Sequence, residues 1–220
     1  VRQQAYNSAM NWQVIFRQVF EALRNFFQKS VSTNVDSRPE SVHAIIQETS
    51  NPVPQQEEIR EEKWQAPVPA AYFMLSQTYL NEDWNLYPKF GHHTGVDYGG
   101  HGKVGIPLTA CADGEIVYKE VFDSPWGKSL GNHAALYVPS VDKSFLYCHM
   151  SEEPHVLGPV RAGEQIGIMG STGKSSGGAI HLHLEGFHGR FQIAWRSFAS
   201  LDDIKKKTFD ANEFIKEKLA

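Results

Sequence analysis

All 18 glycines of this 220-residue chain fall between Gly91 and Gly189. Glycine breaks helices and supplies the positive φ and close approach that tight turns need, so this part must be built from short strands and turns. Within it, residues 107–111, 115–118, 134–138, 144–148 and 180–187 are short apolar or alternating runs separated by Gly, Pro, Asp and Asn. That pattern predicts a mainly β, compact antiparallel domain. A hydrophobic share of 41% against 21% charged residues leaves enough apolar surface for a core. With 21 Lys+Arg against 25 Asp+Glu, the formal charge of -4 gives no basic surplus for a phosphate backbone, so nucleic acid is not expected as a partner. Two cysteines cannot build a disulfide framework and are expected to be free.

The flanks read differently. Trp12, Ile15, Phe16, Val19, Phe20, Leu23, Phe26 and Phe27 recur at helical spacing, which predicts an amphipathic helix of about four turns within residues 1–29. Arg17, Glu21 and Arg24 interrupt it, so it is neither a transmembrane segment nor a signal peptide. It packs on its own domain or a sister chain, or it docks to a membrane surface or another protein. Residues 30–87 read as a tether and lead-in segment rich in Ser, Gln, Glu and Pro, with one short helix over 40–48. Residues 88–196 hold the β domain. Residues 197–220 form a helical tail, with a capped turn at Ser200 and Asp203 and a short amphipathic helix over 211–219. The chain starts at Val1, which leaves room for a leader removed earlier.

Nine of the ten histidines lie between His92 and His188. A single histidine is more often satisfied or exposed than functional, so combinations must carry the argument. His93 and Asp97 offer an imidazole nitrogen and a carboxylate oxygen, both suited to Zn²⁺. Gly95, Gly99 and Gly100 argue against a helix there, and on a straight strand the two would lie about 13 Å apart. Convergence on one ion therefore needs a bend, which Gly95 can supply. His92 competes for the ligand role.

In His181-Leu182-His183-Leu184-Glu185, a strand turns both imidazoles to one face, about 6.6 Å apart, and both leucines to the core. One histidine can bind a metal while the other stands over it, and the spacing leaves open which. Taken alone, the motif is explained equally well by an exposed strand face. His149 ends a predicted strand. Together the three groups offer a His, Asp and His ligand set with a fourth position open, and two further histidines, which is the composition of a catalytic zinc site.

With these motifs the sequence resembles the lysostaphin/LytM-type zinc metalloendopeptidases, peptidase family M23, which cleave peptides of bacterial peptidoglycan. The resemblance runs from about Gly91 to Phe187. It rests on H-x-G-x-D from His93 to Asp97, segments 105–117, 131–132, 147–151, 160–167 and 170–173, and H-L-H-L-E from His181, all in order. Cys111 and Cys148, where the family usually has small residues such as Ala, and Gly178-Ala-Ile180, where Gly-Pro is commoner, depart from it without touching a ligand.

The resemblance implies that His93, Asp97 and His183 hold Zn²⁺ and that His181 and His149 are catalytic. His181 would pass a proton from a metal-activated water to the leaving amine while His149 steadies the oxyanion, or the two roles are reversed. Peptidoglycan peptides follow as the substrate, stem peptide or cross-bridge, with a D-Ala to diaminopimelate cross-link favoured. The place of action would be the bacterial cell wall, reached from a phage virion, the periplasm or outside the cell. The N-terminal helix would anchor the domain in a larger envelope or phage-tail assembly. The alternative is a catalytically silent structural or activator protein of the same fold, but such relatives usually lose ligands and here all are present.

Three further features carry expectations. Residues 170–175 imitate a phosphate-binding loop, but Ile168 stands where the first glycine is required and a strand is expected to follow; residues 170–178 are expected to wall a peptide groove instead. Trp126, Tyr98 and Phe187 line either that groove or the core. Asn34, Asn51 and Asn81 are the candidates to block the open metal position, should the N-terminal extension be a latency device.

Overall fold

The glycine-punctuated runs pair with one another as strands. In the computed structural model, which describes residues 62–154 and 157–220, the main sheet has the order β1 (Leu75–Gln77), β2 (Val96–Gly99), β9 (His181–His188), β6 (Lys143–Met150), β5 (Asn132–Val138), β4 (Gly114–Glu120) and β7 (Gly158–Val160). The two-residue strand β10 (Thr208–Phe209) pairs with the far end of β9, and β3 (Pro107–Thr109) with β8 (Gln165–Ile168) makes a second sheet. Every pairing is antiparallel, so the domain is mainly β, as its sequence predicts. The helices are short: α1 (Gly127–Leu130), α2 (Leu201–Lys207) and α3 (Ala211–Leu219). Ser200 caps α2 by accepting from the Asp203 amide, and Asp210 caps α3 by accepting from the amides of Asn212 and Glu213. Each cap satisfies amides that have no partner inside the helix.

The central strands are covered on both faces. On one face Val96, Tyr98, Phe145, Tyr147, Leu182 and Leu184 pack against Leu108 and Ile166 from the second sheet. On the other, Leu146, Cys148 and Phe187 pack against Ala135, Phe191, Phe198 and Ile204. Each fully buried large apolar side chain contributes about 1.5–3 kcal/mol. Tyr98 and Phe187 are therefore core residues rather than groove residues. Cys111 and Cys148 are both buried and free.

From Trp64 onward, the stretch read as tether and lead-in is packed into the domain. Trp64 bridges Ala112 and sets its ring edge-on to Phe145 and Phe214, with centroids 6.0 and 5.6 Å away. Val68 is buried and Leu75–Gln77 is a strand of the sheet. The prolines of this segment suggest loose chain, yet two apolar side chains among them reach a core that local composition does not reveal. The C-terminal segment is packed as well, through Ile204, Ala211 and Ile215. The amphipathic helix expected within 1–29, the tether from residue 30 and the short helix over 40–48 lie outside the described residues. Among the described residues no helix is long and apolar enough to cross a membrane.

Candidate active site

Asp97 of β2 and His183 of β9 are paired residues on adjacent strands, so their side chains leave the same face side by side. His93 lies before β2, beyond a bend at Thr94 and Gly95. A Cβ at residue 95 would sit 2.5 Å from the Leu184 carbonyl oxygen, so glycine alone lets this bend press against β9. The result is convergence: His93 Nε2 lies 2.9 Å from His183 Nδ1 and 3.2 Å from Asp97 Oδ1, and His183 Nδ1 lies 2.8 Å from Asp97 Oδ1. Among the described residues this is the one group of three or more His, Cys, Asp or Glu whose donor atoms could hold a metal.

The outer hydrogen bonds dictate which atoms face inward. His93 Nδ1 lies 3.1 Å from the Thr78 carbonyl oxygen; a carbonyl only accepts, so Nδ1 carries the proton and Nε2 turns a lone pair to the centre. His183 Nε2 donates to Glu185 Oε1 over 2.9 Å, and an ionised carboxylate only accepts, so Nδ1 of His183 also faces inward as a lone pair. Two nitrogen lone pairs and a carboxylate oxygen thus point at one another, an arrangement that repels unless a proton or cation lies among them. Their spacing approaches the edge of about 3.3 Å expected for tetrahedral zinc with nitrogen and oxygen ligands. The donor set, with a carboxylate behind one histidine, fits zinc. Without a cation His183 keeps a proton: burial alone would push the imidazole down, but its bonds to Asp97 and Glu185 outweigh this and hold it at about 9. Burial would raise the Asp97 carboxyl, yet His183 and His93 keep it well below the usual carboxylate range.

His149 reaches the site through a bulge. Between one pair of partners β6 advances three residues, Tyr147 to Met150, while β5 advances two, Asn132 to Ala134. The extra residue and a left-handed backbone at His149, φ 65°, take its side chain out of the strand's alternation. Its ring centroid lies 4.9 Å from that of His181 and 5.9 Å from that of His183. His149 Nδ1 donates to the Thr172 carbonyl over 2.7 Å and His181 Nδ1 to the Ala179 carbonyl over 2.9 Å. Each ring therefore keeps Nε2 as an acceptor, that of His181 lying 3.8 Å from Asp97 Oδ2. Burial, reinforced by the neighbouring histidines, pushes His149 down to about 3. Burial also lowers His181, against the opposing pull of Asp97. Both are neutral at pH 7.

All five residues line a cleft of about 1050 Å³, together with Tyr87, Phe90, Trp126 and residues 175–178. Of the Gly/Ser stretch expected to wall a groove, residues 175–178 line the cleft and 170–174 do not, and the stretch runs through a single 3₁₀ turn, Lys174–Ser176, to strand β9 rather than to a helix. His92 lines the cleft but is not part of the group that could hold a metal. Asn81 donates to Gln77 Oε1 over 2.8 Å; Asn34 and Asn51 lie outside the described residues. Three contributors carry no role in the sequence reading. Tyr87 stacks on His93 at 5.0 Å between centroids, while Thr94 and Arg196 both bond Glu185. For Glu185 itself a signal existed, since alternation places it on the His183 face.

Residues 91–193 match the family profile described as "Peptidase family M23". A 94-residue stretch is 39% identical to the DD-carboxypeptidase/endopeptidase Mpg of Neisseria meningitidis serogroup B and of Neisseria gonorrhoeae. That stretch is 42% of this chain but spans only 19% of those relatives. Among solved structures, the catalytic domain of the antimicrobial peptidase lysostaphin from Staphylococcus simulans superposes with a TM-score of 0.50 at 25% identity, covering 68% of this chain and 98% of that domain. CbpA from L. salivarius REN superposes with the same TM-score at 20% identity, over 70% of this chain and 95% of its own, a likeness of fold alone. With the sheet, the motifs and these matches together, the resemblance to the lysostaphin/LytM-type peptidases of family M23 is borne out over residues 91–193.

Proposed function

We propose that this domain is a zinc-dependent endopeptidase acting on peptidoglycan peptides, with His93, Asp97 and His183 as metal ligands and His181 and His149 as catalytic residues. The observation that carries it is the set of three inward-facing acceptor atoms beside two neutral imidazoles in one cleft. When bound, zinc acidifies water and polarises a scissile carbonyl. His181 is the better base of the pair: its Nε2 is bare, and Asp97 Oδ2 at 3.8 Å favours the imidazolium that forms. The same ring returns the proton to the leaving amine. His149 starts with Nε2 bare, so it would donate to a developing oxyanion only after taking a proton from bulk water. Burial opposes that in the resting site, and negative charge on the substrate oxygen favours it.

The name DD-carboxypeptidase/endopeptidase carried by the Neisseria relatives supports a bond between D-centres, the D-Ala to diaminopimelate cross-link, over a cross-bridge. Action at the bacterial cell wall follows from that substrate, and the segment 1–29, for which the sequence predicts a helix, would anchor the domain in a larger assembly. The test is digestion of purified sacculi by the full chain, with and without a chelator and with zinc added back, followed by mass spectrometry of the new amino termini. Cleavage lost on chelation and restored by zinc is expected. Sacculi left uncut by the zinc-loaded chain would favour the silent structural protein instead.

A further inference from the structure

Behind the metal ligands, Glu185 is buried completely and still carries four hydrogen bonds. Its Oε1 accepts from His183 Nε2, Thr94 Oγ1 and Arg196 Nη2, and its Oε2 accepts from Arg196 Nε over 2.7 Å. A carboxylate has about four acceptor positions; here three bonds crowd Oε1 and one reaches Oε2. Two donors belong to segments that carry ligands: Thr94 follows His93, and His183 is itself a ligand. The other two come from the guanidinium of Arg196, at the end of the 3₁₀ turn Ile193–Arg196. That residue lies beyond the stretch matching the family profile, which ends at 193. Packing enforces the same linkage, because a Cβ at residue 95 would meet Glu185 Cγ at 2.9 Å. The bend carrying His93 therefore rests directly on the side-chain stem of the Glu185 that Arg196 holds.

We propose that Arg196 is a positioning residue of the metal centre, acting through Glu185 to fix the orientation and tautomer of His183 and to lock the His93 bend against β9. The proposal rests on the zinc reading of the site. A buried carboxylate needs a counter-charge, and the fork of Arg196 supplies two parallel donors that a lysine cannot reproduce. With the fork gone, Glu185 keeps two of its four bonds and is free to turn. The Nε2 proton of His183 then loses its fixed acceptor, and Nδ1 is no longer held toward His93 and Asp97. Loss of such outer partners weakens metal binding by about 10- to 100-fold.

The experiment measures zinc affinity by competition with a chromophoric chelator, on the full chain and on Arg196→Ala, Arg196→Lys, Glu185→Gln and the double variant Arg196→Ala/Glu185→Gln. Arg196→Ala should lose about 10- to 100-fold in affinity, and Arg196→Lys, which keeps the charge and guards against a failure to fold, about fivefold or more. If Arg196 acts through Glu185, the double variant should bind zinc no worse than Glu185→Gln alone. Nitrogen-15 NMR of the zinc-loaded chain should show His183 protonated at Nε2 in the wild type and a mixed or mobile ring in the arginine variants. Wild-type affinity in both Arg196 variants, or losses that simply add in the double variant, would overturn the proposal while leaving the zinc site standing. A wild-type chain that takes up no zinc would instead sink the metal reading itself, and the proposal with it.

Discussion

The two faces of strand β9 share one backbone and obey opposite rules. Leu182 and Leu184 point into a cluster of apolar neighbours, where what counts is volume and the loss of a methyl group is felt by many contacts at once. His181, His183 and Glu185 point the other way, and every polar atom there except the bare Nε2 of His181 has an assigned partner: a carbonyl for His181 Nδ1, Asp97 and Glu185 for the two nitrogens of His183, and Arg196 and Thr94 for Glu185. Stability is therefore spread over the leucine face, while chemistry is concentrated in single atoms on the histidine face. Changes on the histidine face should move metal content and rate more than folding, and changes on the leucine face should do the reverse.

The hardest blow to the histidine face is Asp97→Ala. It removes the carboxylate that lies 2.8 and 3.2 Å from the two imidazoles proposed as ligands and leaves the facing nitrogens of those rings without a negative partner. Zinc content should fall well below one per chain and hydrolysis of sacculi by about a thousandfold or more. One zinc per chain with near-normal hydrolysis would show that the ligand set is misassigned. His181→Ala should split the two properties: zinc content unchanged, with turnover down by about 10²- to 10⁴-fold. An unchanged rate there would move proton transfer to His149.

Acid and alkali should act on His149 and His183 with opposite signs. In the metal-free protein burial lowers His183 but its carboxylate partners outweigh it and hold it at about 9, whereas burial pushes His149 down to about 3. A group raised from about 6.5 adds stability that is full below that pH and is lost as pH rises through the folded value. A histidine depressed below about 6.5 adds stability present above that pH and lost as pH falls toward its folded value. The metal-free fold should therefore be most stable near neutrality and weaken on both sides. His149→Gln should flatten the acid side. Zinc should flatten the alkaline side, because it replaces the proton between His183 and Asp97, and its uptake near neutrality should release about one proton. Urea midpoints across this pH range, with and without zinc, and proton release in weakly buffered titrations measure both effects.

What the sequence discloses follows the same division. The antiparallel fold, the alternation of residues 181–185 and the need for a bend at Gly95 are local properties, and all three hold in the structure. The pairing of Asp97 with His183 is a matter of strand register, which no local pattern reveals, so the residues alone leave open which histidine faces the metal until the resemblance suggests it. His149 is harder still, because its direction depends on a bulge and a left-handed backbone rather than on the period of two. Arg196 joins the site from a turn that follows β9, and no spacing within the motifs points to it. Trp64 and Val68 sit among prolines and charges, a composition that reads as tether, and only the tertiary core gives them a purpose.

Those two residues carry the smallest expected effect on the chemistry and so sharpen the comparison most finely. Trp64 and Val68 belong with the leucine face, touching the cluster that includes Leu182 and Leu184, and neither lines the cleft. A chain beginning at Ala70 deletes both and also the Gln65 amide bond to the Cys111 carbonyl at 2.8 Å. It should lose roughly 2–4 kcal/mol of stability, from the half-buried Trp64 and the buried Val68, yet the fraction that remains folded should bind zinc with unchanged affinity. A chain beginning at Glu57, five residues before the first described residue, keeps both residues and should match the full chain in stability, zinc affinity and cleavage of soluble muropeptides within about twofold. The removed segment would then matter only on intact walls, where a tethered anchor raises the local concentration of the domain at its substrate. If the Glu57 start instead raised cleavage of soluble muropeptides tenfold, and the separate segment reversed the gain, the N-terminal extension would be a latency device acting on the histidine face. The division between a face for stability and a face for chemistry would then hold only for the domain without its extension.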